Sequence, residues 1–220
     1  MALTPPKQSV SRKPIKAGVN LAVCTAIIEI GTQVVPKYQC PGEVDEKYQV
    51  MLTFDFPKDR IDIEENGKMV SRPKRKTPFP YTFSYHKKSK LGGMLTTWIG
   101  STPKNDFDLF QMLGKPAMIT IGHDHGDEGQ LYDNIVAVTQ LMDGMDAPKA
   151  ECDLVRYSMS ENGRNIPDGV PDWIAAKIKE SKEWGMLSDA ASKMDTQTRQ
   201  DDPIIEPESY NKEEDDDIPF

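Results

Sequence analysis

The sequence predicts a mainly β protein with a few short helices, and three patterns carry this prediction. Residues 19–31 form an apolar, β-branched segment that ends at a glycine, which is typical of a strand. Residues 46–56 alternate apolar and polar side chains, which predicts a half-buried strand. Asn66 and Gly67 lie between extended flanks, and this dipeptide is favoured in two-residue hairpin turns. The strand 46–56 would carry Tyr48, Val50, Leu52, Phe54 and Phe56 on one face and Lys47, Gln49, Met51, Thr53 and Asp55 on the other.

Two short helices are predicted in the middle of the chain. Leu91, Leu95 and Trp98 recur at the spacing of one helix face, and Ser89 before them is a favourable N-cap residue. A second short helix is predicted over 105–115, closed by a glycine. These helices separate the early strands from the late ones.

Two late strands, 116–123 and 130–141, are joined by the glycine-rich turn 124–129. The order is therefore strands, a helical insertion and a final strand pair. That order favours an OB-fold, a five-stranded Greek-key barrel with a helix between its third and fourth strands. A small β-sandwich is the alternative, but it would leave the mid-chain helices without a place.

The chain divides into four predicted parts. Residues 1–16 read as a flexible basic arm in which three prolines discourage a helix, and residues 17–145 as the OB-fold domain. Residues 146–194 form a helical extension whose amphipathic helix starts near Pro171. Residues 195–220 lack a packing pattern and are predicted to be a disordered acidic tail.

The net charge of −8 is unevenly distributed along the chain. Residues 1–120 carry 18 Lys and Arg against 11 Asp and Glu, and residues 121–194 carry 7 against 14. Residues 195–220 carry 2 against 10, so the tail alone accounts for a balance of −8. The first half is basic, and a polyanionic partner is therefore compatible with the acidic pI.

Composition also argues against several classes of protein. The longest near-apolar run, 21–28, is too short to span a bilayer, and the N-terminus lacks the apolar stretch of a signal peptide. The three cysteines are widely spaced and form no C-x-x-C pair, which argues against a disulfide framework or a cysteine zinc site. We expect a cytoplasmic protein with free thiols and no membrane partner.

The segment from residue 72 to residue 90 combines rings and cations in the way that binders of single-stranded nucleic acid do. Three rings alternate along one predicted strand, so that bases could stack on them, and seven cations flank them to contact phosphates. A single ring on such a strand is as often part of the core. The candidate stacking residues are Tyr81, Phe83 and Tyr85, with Trp98 from the following helix. The candidate phosphate contacts are Arg72, Lys74, Arg75, Lys76, Lys87, Lys88 and Lys90.

Catalysis has little support in the sequence. The stretch HDHGDE at 123–128 resembles the start of a metallo-hydrolase motif, but Glu128 stands where that motif needs histidine. The sequence contains neither a nucleotide-binding glycine loop nor a G-x-S-x-G nucleophile motif. We therefore expect a binding protein, with no enzymatic activity, no metal and no cofactor.

The chain ends in NKEEDDDIPF, where five consecutive acids precede Ile218, Pro219 and Phe220. A tail that served only solubility would have no use for a terminal aromatic ring. The six residues DDDIPF resemble the C-terminal tip of bacterial single-stranded DNA-binding proteins. The body, in GTQ, KYQVMLTFDF and YTFSYHKKSKL, resembles a phage-encoded single-stranded DNA-binding protein with an OB-fold. The glycine- and glutamine-rich linker that is usual before the tip in host proteins is replaced by a shorter, acidic segment.

The resemblance implies a sequence-independent binder of single-stranded DNA that acts in phage replication, recombination and repair inside a bacterial host cell. It also implies that the tip recruits host or phage enzymes: an exonuclease, a helicase, recombination proteins and a polymerase. Physically, the Phe220 ring would enter an apolar pocket on the partner while the acids meet a basic ridge. The docking residues would be Asp215, Asp216, Asp217, Ile218, Pro219 and Phe220.

Two further expectations concern this tail. Its acids are expected to occupy the protein's own cationic groove when DNA is absent, so that DNA and tail compete. The alternative to DNA binding is a decoy, a protein that presents the host tail peptide to sequester host enzymes and binds no DNA itself.

Overall fold

A computed structural model of the chain describes residues 13–126 and 129–187. The predicted tail, 195–220, and most of the predicted N-terminal arm lie outside the described residues. The strands are β1 (Gly18–Pro36), β2 (Val44–Glu65), β3 (Lys68–Lys76), β4 (Tyr81–Thr82), β5 (Pro116–His125), β6 (Leu131–Thr139) and β7 (Val155–Tyr157). The helices are α1 (Lys90–Ile99), α2 (Met159–Asn162) and α3 (Asp172–Lys179), with a 3-10 helix at Leu109–Met112.

The prediction of a mainly β protein is confirmed. The five long strands form a sheet in the order β3-β2-β1-β5-β6, and every neighbouring pair in it is antiparallel. β4 adds to β2, and β7 runs parallel to β1 over three residues. Among the described strands β3 and β6 do not pair, so the sheet is open and the predicted closed barrel is not established by strand pairing.

The predicted hairpin turn between β2 and β3 is confirmed. Glu65 pairs with Lys68, and Asn66 and Gly67 between them have φ angles of 52° and 75°. Two successive positive φ angles define the turn type whose twist matches that of the flanking strands. Asparagine and glycine adopt this conformation at the lowest cost, so the dipeptide fixes the register of the hairpin.

β2 is buried on both faces from Gln49 to Phe56, so the prediction of a half-buried strand is wrong. One face packs into a core under α1. The other places Met51 in a second core under α3. The sequence pattern missed this because the polar residues on the second face are buried with partners: Asp55 accepts hydrogen bonds from Thr25 (3.0 Å) and Arg75 (2.8 Å).

The predicted amphipathic helix near Pro171 is confirmed as α3, and it packs on β1 and β2. Ile174 and Ile178 are fully buried in the second core. The segment after α3 also contacts β1, since the Glu183 carboxylate accepts hydrogen bonds from the amide (2.7 Å) and hydroxyl (2.6 Å) of Thr32. Gly31 permits this approach, because a Cβ there would lie 2.6 Å from the Glu183 carboxylate. The sequence did not predict β7 and α2, which are only three and four residues long.

The mid-chain helices agree with the prediction in part. α1 begins after Ser89, whose side chain accepts a hydrogen bond from the Gly92 amide at 3.0 Å, as an N-cap does. The second predicted helix is a four-residue 3-10 helix, capped by the Asp108 side chain. No helix among residues 13–126 and 129–187 is long and apolar enough to cross a membrane.

The last residues of the predicted flexible arm are held in place. Ile15 is buried, and its amide donates a hydrogen bond to the Asp133 carboxylate on β6 (2.9 Å). The Lys16 amide donates to the Asp59 carboxylate on β2 (2.8 Å). This end of the arm therefore bridges two strands of the sheet.

We predict that α3 contributes directly to the stability of the sheet. Replacing the buried Ile178 by Ala (Ile178→Ala) should lower the free energy of unfolding by about 2–5 kcal/mol, because it leaves a cavity between α3 and β1. The matched control is Lys179→Ala, which changes an exposed residue of the same helix. Denaturant unfolding measures both, and equal midpoints would contradict the shared core.

Candidate nucleic-acid interface

The segment that carries the candidate DNA-contact residues leaves the sheet after β3 and returns only briefly. β4 pairs with Gln49 and Val50 of β2, and the Phe83 amide makes the last ladder bond, to the Tyr48 carbonyl (2.8 Å). The predicted strand over 81–86 is therefore wrong beyond its first residues. The chain turns because the Ser89 hydroxyl donates to the Ser84 carbonyl at 2.6 Å, which folds residues 84–89 into a loop in front of α1.

Gly92 lets this loop pack on α1. A Cβ at Gly92 would lie 2.3 Å from the carbonyl oxygen of His86, so any larger residue would push the loop away. Glycine lowers the stability of the helix, but it lets the loop approach the helix closely. The position of residues 84–89 is thus fixed by α1.

The three candidate rings are not equivalent. Phe83 is 41% exposed, whereas Tyr81 and Tyr85 are half-buried against the main core. Burial raises the pKa of Tyr81 and of Tyr85 to about 12. The Tyr85 hydroxyl also donates to the Phe107 carbonyl at 2.8 Å. Phe83 is therefore the candidate ring most open to a base.

Phe83 belongs to a short row of rings. Its centroid lies 6.0 Å from that of Tyr48 and 5.4 Å from that of Tyr85, and Tyr85 lies 5.8 Å from Phe107. Carboxylates border the row: the Tyr48 hydroxyl donates to Glu29, and burial and this carboxylate both raise the pKa of Tyr48. A phosphate would be repelled here, so the row is suited to bases rather than to the backbone of a strand.

The four candidate cations of β3 are all engaged by carboxylates. Arg72 pairs with Glu65 (2.7 Å), Lys74 with Asp59 (2.8 Å), Arg75 with Asp55 (2.8 Å) and Lys76 with Asp133 (2.5 Å). Lys74 is buried, and its ammonium also donates to the Pro14 carbonyl. The structure thus corrects the placement of Lys74, which faces the protein interior. Arg72, Arg75 and Lys76 reach solvent only as members of ion pairs.

Three lysines, at the end of the loop and at the first residue of α1, are different, and we call them the loop lysines. Lys87, Lys88 and Lys90 are exposed, and none forms an ion pair with another residue in the described ranges. Lys88 and Lys90 line a shallow groove together with Tyr81 and His86. This groove is the part of the segment where unneutralised positive charge meets solvent.

The candidate stacking role of Trp98 is corrected by its position. The side chain is 3% exposed, lies 5.5 Å from the Phe54 ring and donates its indole N–H to the Pro116 carbonyl at 2.8 Å. Trp98 shares a helix face with Leu91 and Leu95, and this face is the one that enters the core. A base cannot reach it in this fold.

Two other stretches considered from the sequence lie partly or wholly outside the described residues. Among the described residues no group of three or more His, Cys, Asp or Glu could hold a metal ion, and His123 bonds the Ile15 carbonyl. Part of the 123–128 stretch, and the whole docking tip 215–220, lie outside the described residues.

Sequence reasoning missed several exposed rings, among them Phe79, Tyr132 and Trp173. The signal for Phe79 was present, since a ring between two prolines sits in an extended segment that cannot join a helix. Tyr132 and Trp173 gave no such signal, because a strand or helix pattern does not show which face a neighbouring element leaves open.

Comparison with known proteins assigns no family to this chain. A scan against protein-family models gives no match, and a search of curated proteins gives no significant match. The resemblance of the tip and the body to single-stranded DNA-binding proteins therefore stays a prediction.

We predict that Asp59 is needed to keep Lys74 inside the protein. Burial would raise the pKa of Asp59, but hydrogen bonds from the Lys74 ammonium and the Lys16 amide outweigh it and hold the pKa below its usual value. Asp59→Ala leaves a buried ammonium without its partner and should cost about 3–5 kcal/mol in the free energy of unfolding.

Glu65→Ala is the matched control, since it breaks the exposed pair with Arg72 and should leave stability close to that of the wild type. The stabilisation from Asp59 is present above the unfolded-state carboxyl pKa and is lost as the pH falls through the folded-state value. Unfolding curves at several pH values measure both effects. Equal stability of the two variants at neutral pH would contradict the interior placement of Lys74.

Proposed function

We propose that this protein binds single-stranded DNA without sequence preference and protects it during phage replication, recombination and repair. The observation that carries the proposal is the loop between β4 and α1. It presents an exposed ring, Phe83, and is followed closely by Lys87, Lys88 and Lys90, none of which forms an ion pair with another described residue. Rings that stack on bases and cations that follow phosphates are the two components of sequence-independent binding to single strands.

An OB-fold is the proposed architecture for this binding. The strand order, with α1 inserted before the last long strand pair, agrees with the connectivity of that barrel. In a closed barrel β3 and β6 would be neighbours. The Lys76 ammonium already reaches the Asp133 carboxylate from β3 to β6, and Asp133 also accepts from the Ile15 amide. These contacts support a barrel that is closed between β3 and β6 by side chains and by the N-terminal segment, since backbone pairing between these two described strands is missing.

The loop can serve both base stacking and phosphate contact, because carboxylates lie on one side of it and lysines on the other. The carboxylates near Tyr48 and Phe107 discourage phosphates on the ring side, while the lysines attract them on the other. A strand would therefore lie with its bases towards Phe83 and its backbone towards Lys88 and Lys90. Arg72, Arg75 and Lys76 would contact phosphates only by exchanging their carboxylate partners.

The tail supplies the second part of the proposal, recruitment. The acids before Ile218, Pro219 and Phe220 would dock on a basic ridge of a DNA-processing enzyme and insert the terminal ring in a pocket. The proline reduces the conformational freedom that is lost on docking. The same acids would compete with DNA for the cationic loop.

The three loop lysines should control the salt dependence of DNA binding. For the triple variant Lys87→Gln, Lys88→Gln, Lys90→Gln we expect weaker binding of fluorescein-labelled oligo-dT. The slope of log K against log salt should fall in magnitude by about 2, since each phosphate contact on a single strand contributes about 0.7. Fluorescence anisotropy over a salt series measures it.

The matched control changes three other exposed lysines, Lys58, Lys115 and Lys149, to Gln. That variant should keep the wild-type slope. Equal loss in both triple variants would mean that only net charge matters. Equal affinity of the wild type for duplex and single strands would rule out the proposed function.

Deletion of residues 215–220 separates the two roles of the protein. Partner binding should be abolished, whereas oligo-dT affinity should stay the same or rise, because the competing acids are gone. Pull-down of a tail-binding exonuclease together with anisotropy measures the two effects. A loss of DNA affinity on deletion would contradict the competition. A wild-type protein that binds the exonuclease but no DNA would instead support the decoy alternative.

A further inference from the structure

A groove on the described surface brings together three exposed rings from distant parts of the chain. Phe79 comes from the loop between β3 and β4, Tyr132 from β6 and Trp173 from α3. They are 88%, 50% and 51% exposed, respectively. The groove has a volume of about 650 Å³, within the usual range for sites that take small organic groups.

We propose that this groove is a second nucleobase-stacking site, which extends the path of single-stranded DNA from the loop before α1 onto the C-terminal helical extension. The inference rests on the function proposed above and names residues that the sequence did not suggest. Its occupant is a base of a DNA strand already held by the loop lysines.

The rings of the groove have open faces. Among the described residues none of the three makes a ring–ring contact, whereas Phe83 lies between two other rings. A base that stacks on one of these rings therefore replaces no ring–ring contact. Such stacking tolerates any base, because every base has a π-face.

The backbone at Phe79 and the ring of Tyr132 are both restrained. Phe79 precedes Pro80, and a residue before proline is restricted to extended conformations. The Tyr132 ring packs on Gly126, where a Cβ would lie 2.7 Å from the ring. Restrained groups lose less conformational entropy on binding.

Trp173 stands on a helix that is fixed to the sheet. Ile174 and Ile178 are fully buried beneath α3, and the Gln33 side chain donates to the Lys177 carbonyl at 2.9 Å. Trp173 and Lys177 are one turn apart, and both line the groove. The extension therefore presents a ring and a cation together.

The charge of the groove suits a polyanion. Asp133 is the acidic residue of its lining, and the Lys76 ammonium already neutralises this carboxylate. Lys177 forms no ion pair with any residue in the described ranges. A phosphate next to a stacked base would meet Lys177 without competition from a carboxylate of the lining.

The groove is continuous with the surface of the loop lysines. Phe79 and Pro80 also line a neighbouring groove that contains Lys90. Pro80 and Tyr81 in turn line the groove that contains Lys88. One strand could thus run from Trp173 past Phe79 to Lys88 without leaving grooved surface.

The test uses the full-length protein and fluorescein-labelled oligo-dT of about 15 nucleotides, near the upper range of site sizes for one OB-fold. Trp173→Ala should raise the Kd about 5- to 140-fold, the effect of losing one stacked base. Trp173→Phe keeps a ring and should lose less. Tyr38→Ala removes a ring that is still more exposed, on the turn between β1 and β2, and should leave the Kd unchanged.

Tryptophan fluorescence gives a second readout. Trp98 is buried and Trp184 is half-buried, so quenching by oligo-dT should come from Trp173 and should disappear in Trp173→Phe. Circular dichroism melting checks that each variant folds. Lys177→Gln should reduce the salt slope by about 0.7, the contribution of one phosphate contact.

The outcomes separate this inference from the function on which it rests. If the wild type binds oligo-dT and the loop-lysine variant weakens it while Trp173→Ala does not, the second site is overturned and the function stands. If the wild type does not bind oligo-dT at all, both fail. Quenching of Trp173 by a peptide of residues 211–220, but not by oligo-dT, would assign the groove to the chain's own tail and overturn the proposal.

Discussion

The burial of β2 on both faces is the constraint on which the rest of the structure depends. A strand with one solvent-exposed face can offer every second side chain to a ligand. β2 cannot do so between Gln49 and Phe56, because α1 covers one face and α3 the other. Each polar side chain there needs an internal partner, as Asp55 finds in Thr25. The proposed binding groups therefore lie mainly on the loop before α1 and on the outer surface of α3.

Charge is distributed by the same constraint. Carboxylates that are carried inward on β2 and β6, such as Asp55, Asp59 and Asp133, need cations. β3 supplies these cations, from beside β2 and through the Lys76 side chain that reaches Asp133 on β6. A cation-rich stretch of sequence thus divides into two groups with different roles. Those on β3 stabilise the fold, while Lys87 and Lys88 lie beyond the reach of these carboxylates and stay available.

Sequence patterns predicted those elements whose formation depends on near neighbours. The Asn66-Gly67 turn, the Ser89 cap and the apolar, β-branched composition of β1 are examples of such local signals. The patterns failed where a distant partner decides: the polar face of β2 is buried because α3 packs on it, and the alternation after Tyr81 is overridden by a side-chain hydrogen bond. For Trp98 the helical spacing itself indicated the core, and the assignment to DNA binding conflicted with it.

The proposed binding surface combines exposed rings with lysines that form no ion pair among the described residues, and this combination has a physical consequence. Phosphate contacts weaken as salt rises, whereas stacking is not electrostatic and persists. The acidic tail would compete with DNA only for the cations. Its last ten residues, 211–220, contain one aromatic ring, that of Phe220. A DNA strand offers one base per nucleotide to every ring along its path. Exposed rings would therefore let DNA displace the tail even where the two polyanions are equally attracted to the lysines.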